Sequence, residues 1–244
     1  MSDLPLGWAS TALGDVIAGF ETGRNLKASP VPARAGEFGV LKISAVTWGH
    51  FQPGENKALL RGDSPSLHEL VRGGDLLISR ANTTELVGAP VLVERDYSHL
   101  MLPDKILRLL YDERAIDRRF LLYALRSRPA RAYIEGNATG TSDSMRNLSQ
   151  PKLRQVPIVL APLPEQKRIA DKLDPLLARV DACRERLDRV PSILKRFRQS
   201  VLAAATSGEL TREWREARGL EAEWRHAPLG SLLVDVRYGT AKKC

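Results

Sequence analysis

The chain has 244 residues, 43% of them hydrophobic, and a formal net charge of +8. No apolar run approaches the roughly 20 residues that a bilayer-spanning helix needs. Residues 1–13 carry no basic head ahead of an apolar stretch, so neither a membrane span nor a secretory signal is expected. The cationic excess favours a polyanionic partner, nucleic acid first, because Lys and Arg displace the counterions condensed on it.

In chain order, residues 1–160 read as a mixed α/β (α+β) domain in which Gly, Pro and Asn punctuate short apolar runs. Strands are predicted at Val40–Val46, Asp75–Ser79, Ala89–Glu94 and Lys105–Leu110, with turns at Gly49–Gly54 and Gly62–Ser66. A helix is predicted over Phe120–Glu135, with apolar Leu121, Leu122, Leu125, Ala132 and Ile134, and with Pro129 interrupting it.

From Glu165 to Ala205 the texture changes. Ile169, Leu173, Leu176, Val180, Cys183, Leu187, Val190, Leu194, Phe197 and Val201 follow one another at alternating spacings of four and three. This is a heptad seam, which wraps one helix against another in a coiled coil. Pro175 and Pro191 are expected to kink or break the helix, and Asp174 is placed to cap a new one. Ser207-Gly208 is the expected stop. Left in water, the stripe would be a large apolar patch, so a partner helix is expected. Packing on its own domain is the alternative.

A pattern W-x4-L-G-x8-G occurs twice with identical spacing. It runs through Trp8, Leu13-Gly14 and Gly23, and again through Trp224, Leu229-Gly230 and Gly239. The expectation is three regions: 1–160, a helical spacer or dimerisation region at 161–218, and the start of a second copy of the first domain at 219–244, cut short at Cys244.

Signals for catalysis are missing. There is no phosphate-cradling P-loop, no G-x-G fingerprint and no Asn/Asp-Pro-Pro-aromatic motif for a methyl-accepting amine. His50, His68, His99 and His226 are scattered without ligand spacing, and Cys183 and Cys244 lie far apart. Pro103-Asp104 with Glu165-Gln166-Lys167 imitates a metal-dependent nuclease, but such a site needs convergent carboxylates and the second half opens a helix. No catalytic residue, metal site or cofactor is therefore expected, and free thiols fit a cytoplasmic protein.

Three segments are candidates to read DNA. Ser79–Thr84 offers Arg80, Asn82 and Thr83; arginine can bond guanine bidentately and asparagine adenine. Asn137–Ser142, with Thr139, Thr141 and Ser142, reads as a hydroxyl-rich loop suited to phosphates. Thr22–Lys27 offers Arg24, Asn25 and Lys27. The same residue types also favour ordinary turns.

Several segments, in order, resemble the specificity subunits of type I restriction–modification systems: Leu6-Gly7-Trp8, Leu13-Gly14-Asp15, Gly74–Arg80, Gly140-Thr141-Ser142, Asn147-Leu148-Ser149, Pro157-Ile158, Pro162–Ile169, Leu194–Leu202 and Gly208–Thr211. The resemblance implies one target-recognition domain and one conserved helical region, the N-terminal half of such a subunit. It implies a non-catalytic reader of half of a split site in double-stranded DNA. It also implies docking of methyltransferase subunits and of an endonuclease/translocase subunit. With one helical region in hand, an antiparallel homodimer through the seam is expected. The alternative is a truncated interaction protein that binds methyltransferase subunits without productive DNA recognition.

Overall fold

The computed structural model describes residues 4–47, 49–60, 62–142, 145–220, 227–237 and 239. The chain runs β1 (Ala9–Ala12), α1 (Leu13–Val16), β2 (Gly19–Thr22), β3 (Gly39–Leu41), β4 (Asn56–Ala58), β5 (Leu70–Val71), β6 (Leu76–Ser79), β7 (Ala81–Asn82), β8 (Pro90–Leu92), β9 (Tyr97–Met101) and β10 (Ile106–Leu110). It continues with α2 (Arg118–Arg126), α3 (Arg128–Asn137), β11 (Thr139–Ser142), β12 (Met145–Asn147), α4 (Gln150–Arg154), β13 (Pro157–Leu160), α5 (Leu163–Thr206) and α6 (Arg212–Glu216).

The central sheet has the order β2-β10-β6-β8, and every pairing in it is antiparallel. Side chains alternate across it with the two-residue period of a strand. Leu76, Ile78, Leu107 and Leu109 fall on one face, in a core shared with Leu13, Phe120, Leu121, Leu125 and Ile134 from the helices. Leu77, Val91 and Ile106 fall on the other, in a core shared with Leu41, Val71 and Leu100. The second core is closed by the sheet β4-β3-β9-β5, whose β3–β9 pairing is parallel. Burial on both faces explains why Leu76–Ser79 is continuously apolar up to its final serine.

Four of the sequence expectations need correction. Only Gly39–Leu41 of the predicted strand Val40–Val46 is extended, and Ile43–Ala45 winds into a 3₁₀ turn. The predicted helix over Phe120–Glu135 is two helices. Asp117 caps α2 by accepting from the N–H groups of Arg119 and Phe120, at 2.9 and 3.1 Å. The chain is extended at Ser127, and Pro129 lies in the first turn of α3, where its missing N–H costs nothing. Asn137–Ser142 is not a loop: Asn137 ends α3 and Thr139–Ser142 is strand β11. Finally, α5 is unbroken from Leu163 to Thr206, through both Pro175 and Pro191. Each proline forfeits one helical bond, to the carbonyls of Asp171 and Leu187. All four residues are exposed, so water can serve those carbonyls while the flanking turns carry the helix. Asp174 caps nothing; it accepts from Arg119 Nη1 at 2.8 Å and from the Tyr123 hydroxyl.

The helix starts from a firm seat. The Gln166 side chain is buried: it accepts from the N–H of Asp117 at 2.8 Å and donates to the carbonyl of Ala161 at 2.8 Å. Trp8 Nε1 donates to Glu165 at 3.0 Å. Burial, and then the bond to Asp174, push the Tyr123 hydroxyl up to about 12. At the far end Gly208 takes a left-handed φ of 78°, the conformation that commonly terminates helices. No described helix is long and apolar enough to cross a membrane.

The chain divides into two units, Met1–Leu176 and Leu177–Cys244. In the first, the repeated pattern has a physical basis. Leu13 is fully buried. A Cβ on Gly14 would stand 3.0 Å from Arg154, and one on Gly23 would stand 1.6 Å from the carbonyl oxygen of Leu102. In the second unit Leu229 is exposed and nothing lies within 4 Å of a Cβ on Gly230. Trp224, His226 and Cys244 lie outside the described residues.

Candidate nucleic-acid interface

Two of the three candidate segments meet in one small sheet, β11-β12-β7. Asn82 stands opposite Arg146, and Ala81 opposite Asn147. On the other side of β12, Thr139 stands opposite Asn147 and Ser142 opposite Met145. Strands this short are held by what flanks them. The Arg80 N–H donates to the carbonyl of Lys105 at 3.0 Å, and the Arg80 carbonyl accepts from the N–H of Leu148 at 2.8 Å. The turn after Asn82 is tied by the Thr83 carbonyl, which accepts from Leu86 and Val87 at 3.1 and 2.8 Å. From α3, Arg131 Nη1 donates to the carbonyl of Val87 at 2.8 Å. Burial of Arg131 works against its charge and lowers its pKa. A Cβ on Gly140 would fall 2.2 Å from the Met145 carbonyl oxygen, so the hairpin demands glycine there.

The backbone of this sheet is thus fixed at Arg80 and at the turn after Asn82. The Arg80 guanidinium has no partner among the described residues. The Asn82 side chain accepts from the N–H of Thr83 at 2.9 Å, which leaves its amide N–H₂ as a donor. Thr139 Oγ1 donates to the carbonyl of Asn147 at 3.3 Å. Ser142 is exposed, and the side chain of Thr141 lies outside what is described.

The third segment approaches through residues 103–105. Gly23 N–H donates to the carbonyl of Pro103 at 3.3 Å, and Lys105, two residues on, holds Arg80. Asn25 and Lys27 are exposed and unpaired among the described residues. Arg24 is engaged within the fold. Its Nε and Nη2 donate to the two Glu69 carboxylate oxygens at 2.7 and 3.0 Å, and Nη2 also donates to the Ser64 carbonyl at 3.2 Å. The Arg24 guanidinium in turn holds the buried Glu69 carboxyl below the usual carboxylate range. Sequence reasoning missed Arg146. It sits beside the quoted Asn147-Leu148-Ser149, but only strand pairing puts it opposite Asn82. Of the residues in the apparent nuclease pattern, Glu165 accepts from Trp8 and Gln166 bonds Asp117 and Ala161.

The sequence is similar to those of known proteins. The chain is 32% identical over 186 residues to the specificity subunit of the type I restriction enzyme EcoEI of Escherichia coli, covering 76% of this chain and 31% of that protein. It is 40% identical over 134 residues to the StySPI specificity subunit of Salmonella potsdam, covering 55% and 28%. Over these stretches the chain is similar to type I restriction specificity subunits. No family model matches it.

The folds agree. The chain superposes with a TM-score of 0.56 and 24% identity on a structure solved to explain complex assembly and conformational transition of the type I restriction–modification system, covering 84% of this chain and 47% of that one. With the S subunit of M. genitalium the TM-score is 0.51 at 17% identity, covering 91% and 51%. Thus the chain spans about a third of the length of its curated relatives and about half of the solved chains.

Proposed function

We propose that this chain is a non-catalytic DNA-specificity subunit that reads one half of a split target and scaffolds methyltransferase and endonuclease subunits. The observation that carries the reading is the meeting of Arg80, Asn82 and the Thr139–Ser142 strand in one sheet whose backbone is pinned and whose Arg80 guanidinium is unpaired among the described residues. Base readout needs this combination, because a bidentate Arg or Asn contact discriminates only when its backbone is fixed. In this reading residues 1–160 recognise DNA and 161–218 form the spacer. Residues 219–244 begin a second recognition domain. Arg80 and Asn82 face base edges, with Thr83, Thr139, Thr141 and Ser142 on the backbone. Asn25 and Lys27 take phosphates, and Arg24 shapes their segment through Glu69. The protein acts in the cytoplasm, where its DNA is.

The seam on α5 supplies the assembly surface. Ile169 packs against the domain core and Leu173 is half-buried. Leu176, Val180, Leu187, Val190, Leu194, Phe197 and Val201 are exposed. We propose that this stripe pairs with the same stripe of a second copy in antiparallel sense, since a twofold axis makes one heptad face complementary to itself.

The test is to map methylated sites genome-wide in cells with and without the gene, together with the Arg80→Ala variant. Methylation at one motif is expected only with the gene. Arg80→Ala should relax one position of that motif, at a cost of about 1–3 kcal/mol, with general DNA binding largely kept. Tight binding of methyltransferase subunits with no motif at all would overturn the reading.

A further inference from the structure

Beside the reading sheet lies an open cavity of about 460 Å³ between residues 24–28, strands β3 and β4, and residues 103–105. Its lining includes the apolar Leu26, Ala28, Val40, Leu41 and Ile43. It also includes Arg24, Lys42, Lys57 and Lys105, with Asp104 as the acidic residue among the lining groups. Two of these cations are already committed, Arg24 to Glu69 at 2.7 Å and Lys42 to Glu55 at 3.6 Å. Lys57 and Lys105 have no ion pair among the described residues. Lys57 is exposed on the edge strand β4, opposite Val40. Lys105 is half-buried, and its carbonyl is the acceptor that fixes Arg80 at 3.0 Å.

We propose that this groove holds the sugar–phosphate backbone of one DNA strand, with Lys57 and Lys105 as phosphate contacts that set the register of the reading sheet. The inference rests on the DNA-reading function proposed above and adds a site to it. The apolar floor suits deoxyribose, and two unpaired ammonium groups suit phosphates as point charges. No aromatic side chain lines the groove, so it offers no platform on which an unstacked base could lie. Because the Lys105 backbone is bonded to that of Arg80, a phosphate held at Lys105 fixes where Arg80 meets the base edges. The groove contributes position and the sheet contributes choice.

The experiment is titration of the full chain with a fluorescent duplex over a series of salt concentrations, for wild type, Lys57→Gln, Lys57→Gln/Lys105→Gln and Arg80→Ala. Circular dichroism checks that each variant is folded. Each lost phosphate contact should reduce the slope of log K against log salt by about 0.9. The expected result is a slope shallower by about one for Lys57→Gln and about two for the double variant. Affinity should fall alike for every duplex sequence, while Arg80→Ala leaves the slope nearly intact. Wild-type slopes in both lysine variants would overturn the groove and leave the DNA reading standing. Absence of salt-dependent duplex binding by wild type would overturn both. Poly-glutamate that displaces duplex from wild type and from the double variant equally well would also count against the groove.

Discussion

Arg108 lies on β10 between Leu107 and Leu109, on the face of the central sheet that carries Ile106 and Leu77. An unpaired charge there would be prohibitive. Its Nη1 donates to Glu21 at 2.8 Å and to the His68 carbonyl at 2.7 Å, and its Nη2 donates to Asp75 at 2.8 Å and to the Leu70 carbonyl. Burial works against the charge, but the bonds to Asp75 and Glu21 outweigh it and leave the pKa raised. Arg108→Met should cost about 3–5 kcal/mol in urea unfolding, because two carboxylates and two carbonyls lose their common partner. Arg108→Lys should recover only part, since one ammonium cannot span four acceptors with a planar fork's geometry. The Arg24–Glu69 pair gives a pH signature. Glu69 has its folded pKa depressed below the ordinary 4.5, first by the hydrogen bonds from Arg24. Its contribution to stability is therefore complete above that value and is lost as the pH falls through the folded one. Arg24→Ala removes the main cause, so the midpoint of acid unfolding, followed by circular dichroism, should move to higher pH.

At the scale of elements, α5 is anchored at its start and bare further along. Replacing Gln166 by Leu would strand the Asp117 N–H and the Ala161 carbonyl in the interior, at a cost of about 1–3 kcal/mol for each group left unpaired. That loss should appear in thermal unfolding as early melting of the first unit. The seam behaves differently. Leu187 is 67% exposed, so Leu187→Glu should leave the monomer's stability almost unchanged. In the proposed dimer it would bury a charge at the centre of the seam and dissociate the pair. Sedimentation at micromolar concentration is the check: dimer for wild type, monomer for the variant. A well-behaved monomer in both would end the dimer model. The hairpin of β11 and β12 obeys a third constraint. Gly140→Ala would drive a methyl group into the Met145 carbonyl and disturb the pairing that presents Asn82.

At the scale of the molecule, two identical readers related by a twofold axis should recognise two identical half-sites in inverted orientation, with an unread spacer between them. The motif recovered from methylation mapping should therefore be an interrupted palindrome. A split motif with unlike halves would mean that the second reader is a different domain, and the homodimer would fall while the reading role of Arg80 remained. The unbroken α5 bears on the spacer. A helix running through both prolines keeps a fixed rise of about 1.5 Å per residue, whereas broken segments would not.

Much of this was legible in the amino-acid order. Composition and charge pointed to a polyanion. The heptad spacing placed a helix with one apolar face over 165–205, and the ordered motifs identified the relatives. Those features are local or periodic, so they survive without knowledge of what touches what. Tertiary structure alone decided the rest. Segments 79–84 and 139–147 are separated by more than fifty residues, and only the β7–β12 register sets Asn82 against Arg146. Arg24, Asn25 and Lys27 look alike in sequence as cationic or amide-bearing loop residues, yet Glu69 claims the arginine and leaves the other two to solvent. Pro175 and Pro191 carry a local preference to end a helix. That preference yields to the turns on either side because the carbonyls they abandon face water, and exposure is a property of the folded chain.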